Sequence, residues 1–312
     1  MEKAASHISV VIPVYRAEEC LHELYRRLVS ALSTISKDFE ILMIEDCGSD
    51  RSWDIICELS RQDPRVRGFR FSRNFGQHYG ITAGIDNAGG EWVVVMDCDL
   101  QDRPEEIPRL YKKAQEGFDV VLALRLERKD SLFKRISSYL FFRLFRYLSG
   151  LDYNGDAGNF RIISRKVADC YRKMRENLRL FGALVTWMGF PTAAINVEHA
   201  ERVGGKSSYT FRKLLHLAVD TIIAYSDKPL RVTVKFGLVI SLIAFAFGIY
   251  FIVRTIFYNQ PVAGWPSLIV SLYFLGGVII SILGIIGIYL GKVFDEVKGR
   301  PLYIIADRTD TT

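Results

Sequence analysis

Two long apolar segments in the last third of the chain constrain its structure more than any other feature. One covers residues 232 to about 253, and the other covers residues 267–290. A helix of about 20 mainly apolar residues spans the hydrocarbon core of a bilayer, and both segments are long enough. A hairpin buried in a protein core is the alternative, but the flanking lysines and arginines are typical of membrane helices. We therefore predict two transmembrane helices within residues 231–291.

The distribution of positive charge predicts how these helices are oriented. Lysines and arginines precede the first segment and follow the second, whereas Arg254 is the single positive charge at the turn between them. The flanking residues are Lys228, Arg231, Lys235, Lys292, Lys298 and Arg300. Positive charge favours the cytoplasmic side of a membrane. We therefore expect a multi-pass protein of the inner membrane, with both termini and the preceding domain in the cytoplasm.

Other features of the composition agree with a cytoplasmic location. The five cysteines form no CxxC pair and no metal-ligand spacing, which indicates reduced thiols. Residues 1–7 are polar and lack the apolar core of a signal peptide. The net charge of +6 over 312 residues is modest, and we predict no nucleic-acid partner.

The first 125 residues alternate between patterns typical of buried strands and of amphipathic helices. Strands are predicted at residues 8–15, 39–44, 66–71, 93–96 and 119–124, where apolar and often β-branched residues run together. Leucines at helical spacing predict the first helix: Leu21, Leu24, Leu28 and Leu32. Strands that alternate with helices build a parallel, doubly wound sheet, so the expected fold class is α/β.

The strongest chemical signal is the sequence VVVMDCDLQD at residues 93–102. An open α/β sheet binds its ligand at the carboxyl ends of its strands, where Asp97 and Asp99 would lie. Two carboxylates there need a partner, and a hard cation such as Mg²⁺ or Mn²⁺, shared with a diphosphate, suits them. Asp97, Asp99 and the amide oxygen of Gln101 are the predicted metal ligands. A solvated acidic turn is the alternative for an isolated Asp-x-Asp.

Three further segments predict contacts with a nucleotide or with phosphates. Asp46, after the second strand, can accept hydrogen bonds from a ribose or a base, or it belongs to a helix N-terminus. Arg73, after the third strand, can meet a phosphate, or it is an ordinary surface arginine. The cluster at residues 125–131 suits a substrate with several phosphates, unless it is only a charged loop.

The region between residues 131 and 230 predicts attachment to the membrane surface. Residues 132–148 form a basic, aromatic-rich amphipathic pattern, typical of a helix in the membrane interface, although a core-packed helix is the alternative. A second amphipathic helix is predicted at residues 211–222. Glycine-punctuated loops are predicted at residues 152–165 and 202–209, where arginine and lysine can contact phosphate. Neither loop has the spacing of a Walker motif.

Taken in order, these motifs resemble those of the family 2 glycosyltransferases of GT-A fold. The chain is most similar to their polyprenyl-phosphate branch, which includes dolichol-phosphate mannose synthases and bacterial undecaprenyl-phosphate glycosyltransferases. The matching stretches cover the chain almost end to end and keep their order. They are VVIPVYRAEE, IEDCGSD, SRNFGQHYGITAG, MDCDLQDRPEEIP, ALRLERKDS, DAGNFRIISR, VGGKSSYTFRKL and VFDEVKGRPLY.

The resemblance, together with the positions of Arg73, Arg202 and Lys206 described above, implies roles for individual residues. The donor nucleotide would be bound by Pro13, Tyr15, Asp46, Arg73 and Asp97. The metal would be held by Asp97, Asp99 and Gln101. The phosphates, including that of the acceptor, would be gathered by Arg125, Arg161, Arg202 and Lys206. The catalytic set would be Asp97, Asp99, Asp156 and Arg161.

The chain departs from the family pattern at a few positions. Arg16 and Ala17 replace the usual Asn-Glu after the first tyrosine. Glu45 and Cys47 alter the usual Asp-Asp-Gly, and Asn159 stands where some relatives have Asp. The first departure bears on donor choice, and none of them removes a predicted metal ligand.

The resemblance also implies an activity, namely inverting transfer of a hexose from a nucleotide-diphosphate donor, expected to be UDP-linked, to undecaprenyl phosphate. Mg²⁺ or Mn²⁺ would be the cofactor, and the bilayer and a second copy of the chain are potential partners. The corresponding regions are a nucleotide-sugar core (1–130), an acceptor-side region (131–230), the membrane helices and a cytoplasmic tail (292–312).

Two other functions fit parts of the sequence. A processive polysaccharide synthase of the same fold would need more membrane spans and a QxxRW motif, and neither is found. A non-catalytic membrane scaffold or lipid carrier would not need Asp97 and Asp99, which are both present.

Overall fold

A computed structural model describes residues 7–125, 143, 147, 157–198, 226–258 and 264–309. These residues divide into two units. One contains the α/β residues together with residues 300–309, and the other contains the two long apolar helices. The predicted interface helices, apart from Arg143 and Tyr147, and the loop at residues 202–209 lie outside the described residues.

Four parallel strands form the centre of the sheet. They are β1 (Ile8–Val14), β2 (Phe39–Glu45), β3 (Val66–Phe71) and β4 (Trp92–Val95), arranged in the order β3-β2-β1-β4. Every residue of β1 and β2 is buried, which explains why their sequences are almost continuously apolar. The first four predicted strands are therefore confirmed.

Helices cover both faces of this sheet in the α/β unit. Their bounds are α1 (Leu21–Ser33), α2 (Ser52–Gln62), α3 (Gln77–Asn87), α4 (Ile107–Ala114), α5 (Arg165–Lys173) and α6 (Phe181–Trp187). In α1 the predicted leucine face is buried, which confirms the periodicity of the sequence.

The remaining strands make the sheet mixed. They are β5 (Val120–Arg125), β6 (Ala157–Ser164), β7 (Thr192–Val197) and β8 (Ile305–Arg308), and the full order is β7-β5-β6-β4-β1-β2-β3-β8. Strand β6 runs antiparallel to both β4 and β5, and β8 runs antiparallel to β3. The α/β fold class is thus confirmed, with antiparallel strands added at two places.

The prediction of a loop at residues 152–165 is wrong for residues 157–164, which form β6. Phe160, Ile162 and Ile163 are buried there, and so is Arg161. The sequence pattern did not predict this buried strand because it contains glycine and arginine, and a charged residue rarely occupies the centre of a sheet. The structural consequence is that Asn159 and Arg161 lie beside the end of β4, where Val95 pairs with Arg161.

Helix α3 packs unusually closely against the central strands. A Cβ atom at Gly84 would lie 2.1 Å from Val11 Cγ1 and 2.9 Å from Ile44 Cδ1. A Cβ atom at Gly80 would meet Pro13 Cβ at 3.1 Å. Because glycine has no side chain at these two positions, the first turn of α3 lies close to the carboxyl ends of β1 and β2.

The second unit consists of α7 (Lys228–Tyr258) and α8 (Trp265–Val297). Residues Leu230–Tyr250 and Leu268–Val297 are long and apolar enough to cross a membrane, and neither segment is buried within the protein. The prediction of two apolar helices is confirmed, while their orientation across a membrane stays a prediction.

The chain returns to the sheet after α8, which the sequence did not predict. Ile305–Arg308 pairs with the edge strand β3 as β8. Just beyond it, Thr309 Oγ1 accepts a hydrogen bond of 2.9 Å from the backbone N–H of Gly68. The C-terminal residues thus belong structurally to the α/β unit.

We expect Gly84→Ala to destabilise the protein because the new methyl group would overlap Val11. Overpacking costs about 1–3 kcal/mol and outweighs the gain of about 1 kcal/mol in helix propensity. Gly80→Ala, which meets a less severe contact, should cost less. Apparent Tm in detergent would measure both, and a Tm for Gly84→Ala at or above that of the wild type would contradict the close packing.

Candidate active site

The carboxyl ends of the four parallel strands bring the predicted site residues to one edge of the sheet. Val14 pairs with Glu45, and Glu45 pairs with Arg70, so the segments after β1, β2 and β3 begin side by side. On the other side of β1, Val11 pairs with Val95 near the end of β4. Tyr15, Asp46, Arg73 and Asp97 therefore all follow strands that end at the same edge.

The Asp-x-Asp turn is anchored by buried residues on both sides. Met96 and Leu100 are buried, whereas Asp97 and Asp99 are partly exposed. Leu100 has a φ of 63°, a left-handed conformation that is uncommon for a residue with a branched side chain. Within the turn, the N–H of Gln101 donates to Asp99 Oδ1 at 3.1 Å, and the N–H of Asp97 donates to Asp102 Oδ2 at 3.2 Å.

Two amide side chains converge on one oxygen of Asp97. Gln77 Nε2, at the start of α3, donates to Asp97 Oδ1 at 2.6 Å. Asn159 Nδ2, on β6, reaches the same oxygen at 3.4 Å. The sequence did not single out Gln77, although it lies in the motif SRNFGQ. Two segments that are distant in the sequence, the start of α3 and strand β6, thus bind the side chain of a predicted metal ligand.

The donor set at this turn fits a hard divalent cation. Asp97, Asp99 and Gln101 offer only oxygen ligands and lie at a partly exposed edge. Within the part of the chain that the structure describes, no three His, Cys, Asp or Glu residues group to hold a metal. Two carboxylates suit a Mg²⁺ or Mn²⁺ ion that takes its other ligands from water and substrate phosphates.

Asp46 is engaged in holding the segment after β3. Its side chain is 4% exposed, and its two oxygens accept hydrogen bonds from the N–H groups of Phe75 (2.7 Å) and Gly76 (2.8 Å). Asn74 Nδ2 also donates to the Asp46 carbonyl at 3.2 Å. Burial raises the pKa of Asp46, and the two N–H donors act against that rise. Its contact with a nucleotide stays a prediction.

Other predicted donor residues differ in their accessibility. Tyr15 is 46% exposed at the end of β1, whereas Pro13 is buried within the strand. Arg73 is exposed, and its guanidinium lies 4.0 Å from the centre of the Phe75 ring. Tyr15 and Arg73 are therefore accessible to a ligand, while Pro13 could contribute only through close packing.

A buried region of positive charge lies next to this edge. Arg161 and Arg179 are only 2% and 4% exposed. Arg161 Nη2 donates to the Gly158 carbonyl at 2.7 Å, and Arg179 donates to Thr82 Oγ1 (2.9 Å) and to a backbone carbonyl. Burial, together with these two cations, lowers the pKa of His78 to about 4. His78 is therefore neutral near pH 7, and its Nδ1 accepts the N–H of Phe181 at 3.4 Å.

Several predicted site residues lie outside the described part of the chain. They are Asp156, Arg202 and Lys206. Arg125 is the last residue of β5, which runs parallel to β4 because both are antiparallel to β6. Its backbone therefore lies at the carboxyl edge of the sheet. The roles proposed for all four residues stay predictions.

Comparison with known proteins agrees with this geometry. Residues 9–172 match the model of the family described as "Glycosyl transferase family 2". An uncharacterized glycosyltransferase of Bacillus subtilis is 39% identical over 95% of this chain and 92% of its own. A prophage-derived bactoprenol glucosyl transferase of Shigella flexneri is 38% identical, covering 96% and 97%. An undecaprenyl-phosphate 4-deoxy-4-formamido-L-arabinose transferase of Klebsiella pneumoniae is 35% identical, covering 96% and 92%.

Solved structures share the fold at low sequence identity. Glucosyl-3-phosphoglycerate synthase of Mycobacterium tuberculosis, bound to phosphoglyceric acid, aligns with a TM-score of 0.52 and 15% identity over 72% of this chain and 81% of its own. The same enzyme with Mn²⁺, uridine diphosphate and glucosyl-3-phosphoglycerate aligns with a TM-score of 0.51 and 16% identity over 71% and 79%. These neighbours confirm the GT-A fold that the sequence motifs implied. Since the family model matches more than half of the chain and curated relatives align along almost its full length, the chain belongs to glycosyl transferase family 2.

Proposed function

We propose that this protein transfers a hexose from a nucleotide-diphosphate donor, UDP-linked, to undecaprenyl phosphate or a similar polyprenyl phosphate. The observation that carries the proposal is the Asp97 and Asp99 turn, held at the carboxyl edge of a GT-A sheet by Gln77 and Asn159. Relatives named for bactoprenol and undecaprenyl-phosphate transfer support the lipid acceptor. Two apolar helices long enough to cross a bilayer would keep the enzyme close to such a lipid.

The acceptor determines what catalysis must supply. Its nucleophile is a phosphate oxygen, and a phosphate monoester is already mostly ionised near pH 7, because its second pKa is about 6. A strong general base is therefore not needed. The main obstacle is repulsion between the anionic acceptor and the donor diphosphate, so the enzyme must position the two substrates and stabilise negative charge.

The residues of the edge can meet these requirements. A divalent cation held by Asp97, Asp99 and Gln101 would stabilise the charge on the leaving diphosphate. Gln77 and Asn159 would hold the Asp97 carboxylate in position, as hydrogen-bonding residues around a metal site do. Arg161 would contribute positive charge beside the reaction centre, and Arg125, Arg202 and Lys206 would gather the acceptor phosphate. Attack from the face opposite the diphosphate would invert the sugar carbon.

The direct test is an assay of the purified protein in detergent with a panel of radiolabelled nucleotide sugars and undecaprenyl phosphate. Radiolabel in the lipid extract, dependent on both the lipid and Mg²⁺ or Mn²⁺, is the expected result. A control lacking the lipid separates transfer from donor hydrolysis. Absence of labelled lipid with every donor would contradict the proposal and favour a non-catalytic role.

We expect Asp97→Asn and Asp99→Asn each to lower turnover by about 100- to 1,000-fold, because stabilisation of the leaving group is a large part of catalysis. Both side chains are partly exposed, so the fold should persist. Glu116→Gln, at an exposed surface carboxylate, is the matched control. Near-normal turnover of both Asp variants, or full activity in excess chelator, would contradict the metal assignment.

Gln77→Ala should weaken metal binding by about 10- to 100-fold, because the Asp97 carboxylate would lose its 2.6 Å hydrogen bond from the Gln77 amide. Mn²⁺ titration followed by electron paramagnetic resonance, with nucleotide present, measures this without turnover. Gln115→Ala removes an exposed glutamine elsewhere and should leave the affinity unchanged. An unchanged affinity in Gln77→Ala would show that this amide does not orient the ligand.

Lys206→Ala should impair use of the lipid and leave nucleotide binding nearly intact, if Lys206 contacts the acceptor phosphate. Loss of one charged hydrogen bond costs about 1.5–3 kcal/mol, or about one to two decades in kcat/KM for the lipid. Lipid-dependent kinetics and nucleotide calorimetry distinguish the two effects, with Lys112→Ala as a surface control. If Lys206→Ala abolishes nucleotide binding but spares lipid dependence, Lys206 contacts the donor instead.

A further inference from the structure

We propose that Tyr303 and its neighbours, which follow the second apolar helix in the chain, position the donor-binding segment of the active site. We call residues 302–305 the C-terminal buttress and residues 72–76 the donor loop. The proposal rests on the function above for the identity of the ligand, a nucleoside diphosphate. It assigns Tyr303 as a positioning residue, one that acts through other residues and not by touching the substrate.

The buttress is joined to the start of the donor loop by backbone and ring contacts. The N–H of Ser72 donates to the Ile304 carbonyl at 3.0 Å, and Ile305 pairs with Phe71 at the end of β3. The Tyr303 ring stacks on Phe71, with centroids 5.4 Å apart and planes 24° apart. Leu302, the residue before Tyr303, is buried. The buttress therefore contacts β3 where the strand gives way to the loop.

The aromatic contacts continue from Phe71 into the loop itself. The Phe75 ring meets Phe71 edge to face, with centroids 5.4 Å apart. The N–H of Phe75 donates to Asp46, and the Arg73 guanidinium lies over the Phe75 ring. Ring contacts through Phe71 and Phe75 thus connect Tyr303 to Arg73, and the Phe75 N–H extends the connection to Asp46.

The hydroxyl group of Tyr303 connects the buttress to a second element of the site. It donates to Asp86 Oδ2, on α3, at 2.7 Å. Arg175 Nη1 holds the same carboxylate at 2.9 and 3.0 Å. Helix α3 begins at Gln77, whose amide bonds Asp97. One tyrosine therefore packs against β3 through its ring and binds α3 through its hydroxyl, and the donor loop links these two elements.

Preorganisation of the donor loop is the physical reason why Tyr303 would affect nucleotide affinity. Ser72, Arg73 and Asn74 are exposed, and a loop of exposed residues gains few contacts that would fix its conformation. A ligand that must order such a loop loses affinity, whereas a loop ordered beforehand does not impose that cost. Contacts with the buttress, Phe71 and Asp46 hold the donor loop in one conformation. Arg73 is then positioned to meet a phosphate.

A purely structural role is the competing explanation, since β8 also covers the exposed edge of β3. That role depends on backbone hydrogen bonds, which a change in the Tyr303 side chain leaves in place. Tyr25 offers a matched control in the same unit, because its hydroxyl donates to Asp63 at 2.9 Å and it is likewise partly buried. Replacing Tyr25 removes a similar tyrosine–aspartate bond away from the donor loop.

The experiment compares full-length Tyr303→Leu, Tyr303→Phe and Tyr25→Leu in detergent, without lipid. Calorimetry measures the binding of UDP in the presence of Mn²⁺. Hydrogen exchange of the amides of residues 72–76 measures the order of the donor loop. We expect Tyr303→Leu to raise the Kd for UDP by about tenfold and to speed exchange in the donor loop, because it loses the stacked ring and its hydroxyl. Tyr303→Phe, which keeps the ring, should show a smaller change of the same sign, and Tyr25→Leu should show neither.

The possible failures are distinguishable. If Tyr303→Leu and Tyr303→Phe exchange at residues 72–76 like the wild type, the buttress does not order the loop and the inference is overturned. If Tyr25→Leu loses as much UDP affinity as Tyr303→Leu, the loss reflects lower general stability, and the inference is overturned as well. If Tyr303→Leu does not fold, Tyr303→Phe alone decides the outcome. Failure of the wild type to bind UDP or any other nucleotide would contradict the proposed function instead, while hydrogen exchange still tests the buttress.

Discussion

The position of the Asp97 carboxylate is the constraint on which the rest of the site depends. Asp97 follows the buried residues 93–96 and is itself partly exposed, so hydrogen bonds, and not burial, hold its carboxylate in place. Gln77 and Asn159 provide two of its hydrogen bonds, and each comes from a different element. Gln77 is close enough because α3 approaches the sheet at Gly84, where no side chain intervenes. Asn159 is close enough because β6 runs antiparallel to β4. The geometry at one oxygen thus depends on the packing of three segments.

Strands that are buried on both faces could be predicted from the sequence. In β1 and β2 every residue is buried, so the apolar run itself reports the structure. Strand β6 escaped prediction because Arg161, in its middle, is buried among apolar neighbours, and burial of an arginine depends on tertiary contacts. Strand β8 escaped because Ala306, Asp307 and Arg308 are exposed, so backbone pairing with β3 alone defines it. Backbone hydrogen bonds leave little trace in a sequence pattern.

The site could be predicted only in part for a related reason. The positions of acidic residues after predicted strands placed Asp46 and Asp97 at one edge of the sheet, and the strand pairing agrees with that placement. What the sequence could not show is which side chains are already used within the protein. Asp46 was predicted to meet a nucleotide, yet both of its oxygens accept N–H groups of the segment after β3. In the structure its role is to shape the segment after β3, and any ligand contact would be added to that role.

The charged groups next to this edge include two buried arginines and a histidine that is neutral near pH 7. The positive charge of this region comes from arginine, a side chain that stays protonated throughout the physiological range. His78 would otherwise titrate there, but burial and the two cations lower its pKa to about 4, and its Nδ1 is an acceptor for a backbone N–H. The positive region therefore keeps a constant charge across the range in which a phosphate monoester, with a second pKa of about 6, gains its second negative charge. In the proposed reaction, ionisation of the acceptor phosphate, and not of His78, would then determine when the nucleophile is ready.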